Sequence, residues 1–164
     1  MRLVVTDANV IIDLDAGGLL EIALHYADIE YCVPDVLYIE ELADYYGRLP
    51  GLGLKVLPQP SDAVQYVEQL RPRFSGPSSN DLFTLALARN LGCALLSGDG
   101  ALREAARVEG VELHGTIWLL EQLLTAQVVT FDQVADAYDA MRVDGSRLPW
   151  EDTRNQVLRW RGTR

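Results

Sequence analysis

The chain has 164 residues, 49% of them hydrophobic and 23% charged, which is enough for one domain with a well-buried core. Lysine and arginine total 14 against 24 acids, a net charge of −10, which argues against a protein that holds nucleic acid mainly by neutralising phosphates. It does not exclude an enzyme that gathers carboxylates around a metal ion and meets phosphate through that ion. The charge is also uneven. Residues 142–164 hold six arginines (142, 147, 154, 159, 161 and 164) and three acids, a net +3, which leaves −13 on residues 1–141.

In chain order, Leu3–Thr6 is a β-branched apolar run that predicts a buried strand. A helical turn over Ala8–Leu14 and a short helix over Leu19–Ala27 follow, then a strand over Ile29–Val33. Pro34, with Asp35 in the first turn, predicts a helix running to about Tyr46. Leu54–Leu57 is a short strand, and Ser61 is placed to cap a helix ending near Leu70. The stretch 72–79 (PRFSGPSS) has loop composition. Ser79 or Asn80 is placed to cap an apolar helix over Asp81–Leu91, with Gly92 as its stop. Then come a strand over Cys93–Leu96, a helix over Ala101–Glu109, a strand over Val111–Leu113 and a helix over Thr116–Leu124. Thr130 and Gln133 make a capping box for a helix to Arg142, and Pro149–Trp160 predicts the last helix. Short apolar strands alternating with helices predict an α/β fold: three layers, with a parallel sheet of four or five strands covered by helices on both faces.

In such a sheet ligands bind beyond the carboxyl ends of the strands. Asp7 follows the first strand and Asp99 follows CALL. Asp81 lies in the first turn of the apolar helix NDLFTLALA, and Glu41 lies in YIEEL. Its neighbour Glu40 points about 100° away in a regular helix, so only one of the two is expected to face the site, and Glu40 stays open as the alternative. Each acid alone has an ordinary reading: a cap for Asp7 or Asp99, a first-turn acid for Asp81, a solvated charge for Glu41. Together they predict a self-repelling carboxylate cluster of the kind that Mg²⁺ or Mn²⁺ relieves.

The ordered segments TDANVIIDL, VPDVLYIEEL, SSNDLFTLALARNLG, LLSGDGALREAA and HGTIWLLEQLL resemble the PIN-domain family of metal-dependent nucleases, and the prokaryotic branch that includes VapC-type toxins of toxin–antitoxin pairs. The resemblance covers about residues 1–125, so residues 126–164 are expected to be a helical extension of the same domain. It implies Asp7, Glu41, Asp81 and Asp99 as the metal-binding and catalytic acids, with Asn9 and Ser97 supporting them. It further implies Mg²⁺ or Mn²⁺ as cofactor, RNA as substrate, and a homodimer; an antitoxin protein would be the partner if the chain is such a toxin. A non-catalytic PIN-like module that binds protein or RNA is the alternative.

Other features point elsewhere or nowhere. Asp13-Leu14-Asp15-Ala16-Gly17-Gly18 begins like a calcium loop but has Leu24 where the twelfth position needs a carboxylate. His25, His114 and the three tryptophans read as packing residues. Cys32 and Cys93 sit in apolar runs and read as small hydrophobes, which suits a reducing compartment. No apolar run reaches the roughly 18 residues of a membrane span, and the N-terminal stretch lacks a secretory apolar region. The expected location is the cytoplasm.

Overall fold

A computed structural model describes residues 1–162. Five strands, β1 (Arg2–Thr6), β2 (Ile29–Pro34), β3 (Lys55–Leu57), β4 (Ala94–Leu96) and β5 (Leu113–His114), form one sheet in the order β3-β2-β1-β4-β5. Every neighbouring pair is parallel. The chain fills one wing, β1 to β3, then crosses back to place β4 on the other side of β1. The strand order therefore reverses between β1 and β4.

Alternation along the strands divides the interior in two. Val4, Tyr31, Val33 and Leu96 enter one apolar core, whereas Val5, Cys32 and Leu95 enter the other. The first core is closed by α1 (Ala8–Ala16), α2 (Leu20–His25), α8 (Thr116–Thr125) and α9 (Phe131–Asp144). The second is closed by α5 (Ser61–Leu70), α6 (Ser79–Leu91) and α7 (Gly100–Glu109). The expected three-layer α/β/α architecture is thus present, with the full five strands.

Four local expectations are corrected. The helix expected over 34–46 is not continuous: α3 (Asp35–Leu37) passes into a π turn over Tyr38–Leu42 before α4 (Ala43–Tyr46). The cap of α6 is Ser78, whose hydroxyl accepts from Asp81 N–H at 3.1 Å, while Ser79 and Asn80 are already helical. Ser61 likewise begins α5 and makes no side-chain cap bond. The fifth strand is Leu113–His114, because its pairing with Leu95 and Leu96 begins at Leu113.

The C-terminal helices pack against the helices of the first core. Gly17, at the end of α1, lets α9 approach so closely that a Cβ there would lie 2.8 Å from Met141 Cε and 3.0 Å from Ala137 Cβ. α10 (Trp150–Gly162) is held by Glu121 of α8, whose Oε2 accepts from Gln156 Nε2 (2.7 Å), Arg159 Nη2 (3.0 Å) and Trp160 Nε1 (3.0 Å). Tyr138 of α9 donates to Gln156 Oε1 from the other side. Of the arginine-rich stretch 142–164, Arg164 lies outside the described residues.

Candidate active site

Asp7 stands at the reversal between β1 and β4. Its backbone N–H donates to the Leu96 carbonyl at 3.0 Å, tying the end of β1 to the end of β4. Its side chain does two things. Oδ1 accepts from Val10 N–H at 2.9 Å and so caps α1, and Oδ2 accepts from Ser97 Oγ at 2.6 Å. Ser97, fully buried, also accepts from Asp99 N–H at 3.1 Å. Asp99 in turn caps α7 by accepting from Leu102 N–H at 2.9 Å. A chain of bonds, Asp7–Ser97–Asp99, therefore spans two neighbouring strand ends.

Asp7 is only 2% exposed, and no cationic side chain pairs with it among the described residues. Burial pushes its carboxyl up from 3.8 to about 6, opposed by the bonds from Ser97 and Val10 and reinforced by the charges of Asp81 and Asp13. The influence of Asp81 brings the third expected acid into the neighbourhood. Asp81 Oδ2 accepts from Ser78 N–H at 2.9 Å, closing the capping box of α6.

The glutamates arrive from the π turn. Asn80 Nδ2 donates to Glu40 Oε2 at 2.9 Å and to Glu41 Oε2 at 3.0 Å. Both carboxylates thus meet the residue next to Asp81, and the expectation that the two would point apart is corrected. A π turn closes i→i+5 and spreads its positions differently from an α-helix, and the flexible glutamate side chains converge on the two N–H groups of one amide.

The site is thus a rim with two parts, Asp7–Ser97–Asp99 and Glu40/Glu41–Asn80 beside Asp81. The acids are not drawn into one tight knot. Among the described residues no three His, Cys, Asp or Glu side chains are close enough to hold one metal ion. Asp7, Asp81 and Asp99 are engaged with helix N-terminal N–H groups, and the glutamates with Asn80. Each ordinary reading of the three aspartates is therefore also true.

Asn9 lines an open cavity of about 460 Å³ beside Asp99, together with Asp13, Asp144, Ser146 and Arg147. In the sequence Asp13 reads only as part of a failed calcium loop. Burial is the main cause that raises its carboxyl, while Ser146 and Thr116 bond to it and oppose the rise. The i, i+4 spacing of Asn9 and Asp13 on α1 was the signal that could have found it. Asn80 was visible only as a candidate cap.

The donor set suits a hard divalent cation. A buried carboxylate without a positive partner, two further aspartates and a glutamate pair offer only oxygen ligands, as Mg²⁺ and Mn²⁺ prefer. A family model described as PIN domain matches residues 3–162. The chain belongs to the PIN-domain family. The match runs through α9 and α10 as well as the sheet. No curated protein matches the chain. PIN domains are generally nucleases, usually dependent on divalent metal. No helix among the described residues is long and apolar enough to cross a membrane.

Proposed function

We propose that this PIN-domain protein is a metal-dependent endoribonuclease that hydrolyses RNA phosphodiester bonds. The observation that carries the reading is Asp7: a buried carboxylate without a cationic partner, at the point where the strand order reverses, bonded through Ser97 to the strand end that carries Asp99. Asp7, Asp81 and Asp99, with Glu41 or Glu40, are the residues that would hold Mg²⁺ or Mn²⁺. When bound, such an ion supplies charge neutralisation at the phosphate and acidifies water.

The chain's own groups do the rest. Ser97 O–H fixes Asp7 Oδ2, and Val10 N–H fixes Oδ1, so the carboxylate is oriented before any ligand arrives. Exclusion of water around Asp7 strengthens its attraction for positive charge. The glutamate carboxylates are exposed and steered by Asn80, and one of them would take a proton from the attacking water. Asn9 lines the adjoining cavity, where it can bond a phosphate or a water.

An RNA substrate, an antitoxin partner and a homodimer belong to the same proposal and rest on family membership alone. The second reading, a non-catalytic binding module, draws on the engagement of all three aspartates in helix capping and on the lack of a three-ligand cluster. One comparison separates the two. Purified parent protein should cleave single-stranded RNA with Mn²⁺ or Mg²⁺ and stop with EDTA, and Asp7→Asn should lose at least about a hundredfold in rate. Equal cleavage by a pure, folded Asp7→Asn protein overturns the assignment of Asp7. Absence of cleavage by the parent supports the binding module.

A further inference from the structure

A second groove, about 430 Å³, opens at the carboxyl end of β5 and adjoins the acidic cavity. The two share Gly98 and Arg147, so one continuous surface leads from Asp99 into this groove. The character of the lining changes along it. On the acidic side Asp13, Asp99 and Asp144 face a single arginine, Arg147, whereas the groove presents Arg103, Arg147 and Arg159 with Asp152 as its one carboxylate.

The tail's positive charge is therefore sorted by position. Arg142, Arg154 and Arg161 line a different groove, between α9 and α10, where Arg142 lies over Trp150 and Arg161 over Phe131. Arg159 is committed to Glu121. Arg147, in the loop between α9 and α10, and Arg103, one turn into α7, are exposed and form no ion pair among the described residues. Among the described residues they are free cations beside the site, in a chain whose net charge is −10.

We propose that this groove is the track for the RNA strand flanking the cleavage site, with Arg147 and Arg103 as its phosphate contacts; this rests on the ribonuclease reading above. An unpaired guanidinium next to a cluster of carboxylates fits a polyanion that must be held while it lies against negative side chains. The contact is with the backbone rather than the bases. Trp118, the indole that lines the groove, is already stacked on His114 with ring centroids 4.0 Å apart and an interplanar angle of 12°.

The test is binding of a short fluorescent single-stranded RNA, in EDTA to prevent cleavage, followed by anisotropy across a salt titration. Each phosphate contact contributes about 0.7 to the slope of log K against log salt on a single strand. The double variant Arg103→Gln/Arg147→Gln should lower the slope by about 1.4 and weaken binding roughly tenfold or more at low salt, whereas Arg154→Gln, in the other groove, should change neither. If the double variant keeps the parental slope, or if Arg154→Gln loses as much, the proposal is overturned. Should the parent still cleave RNA in an Asp7-dependent way in that case, the nuclease reading survives and the groove is left to an acidic protein partner. A parent that neither binds nor cleaves RNA overturns both.

Discussion

At the scale of single residues, Asp7 shows how a site can be held at the expense of stability. Its carboxyl ionises near 6 in the folded chain against 3.8 ordinarily, with burial as the main cause. The folded protein therefore holds this proton more tightly than the unfolded chain does. Stability falls as pH rises from about 4 to about 6, and the full penalty persists above 6. Asp7→Asn removes the charge and keeps a side chain able to cap α1. The variant should melt higher than the parent at pH 7, by at most about 3 kcal/mol, and the difference should vanish near pH 4. Thermal melts of both proteins at the two pH values check this, and a variant that melts lower at pH 7 contradicts it. The places of Asp7, Asp81, Asp99 and Ser97 at strand ends and helix starts were legible in the sequence, because such a position fixes where a short side chain can reach. The glutamates were not resolved, because their direction depends on how one turn of helix is wound.

At the scale of elements, that turn is the π segment Tyr38–Leu42. A π turn spans too few residues to leave a periodic signal, and YIEEL reads as ordinary helix. Deletion of Ile39, which is 68% exposed, should restore α-helical winding and turn the glutamates away from Asn80. Cleavage should drop at least about a hundredfold while far-ultraviolet dichroism and cooperative melting persist. Undiminished cleavage would argue that neither glutamate takes part. The position of the α6 cap was equally hidden, since Ser78, Ser79 and Asn80 are all capable caps and only the structure selects Ser78.

The latch on α10 belongs to the same scale. Burial alone would raise Glu121, but the bonds from Trp160, Gln156 and Arg159 hold it below its ordinary 4.5. That stabilisation is present above pH 4.5 and is lost as pH falls through the lowered value in the folded chain. Glu121→Gln should cost about 1–2 kcal/mol at pH 7 and speed amide exchange in α10. The difference from the parent should shrink on acidification. Hydrogen exchange at pH 7 and at acid pH measures it.

At the scale of the whole molecule, the alternation of strands and helices specified the layers, because short apolar strands have no choice but to be covered twice. The sequence could not show that the loop after α9 returns to the acidic cavity, since that depends on how closely α1 and α9 approach at Gly17. The surplus of negative charge gives a further expectation. A divalent ion that binds only the folded chain should raise its stability by about 2.7 kcal/mol at one hundred times its Kd. The gain should grow as pH rises through about 6, because the ion competes with a proton at Asp7. Melting with and without Mn²⁺ at pH 5 and pH 7.5 checks both the shift and its sign.

The helix caps have a consequence for mutational drift. Asp99 starts α7 and Asp81 closes the box that starts α6, so replacing either by a non-capping residue costs about 1 kcal/mol even in a protein that cuts nothing, whereas the buried charge of Asp7 costs the fold more than its cap on α1 returns. Glu40 and Glu41 start no helix and lie exposed on Asn80. In a descendant that had abandoned cleavage and kept the fold, Glu40, Glu41 and the charge of Asp7 would erode first, and Asp81 and Asp99 would remain. Among relatives of this chain, a glutamate retained in the π turn is therefore a better sign of a living enzyme than Asp81 or Asp99.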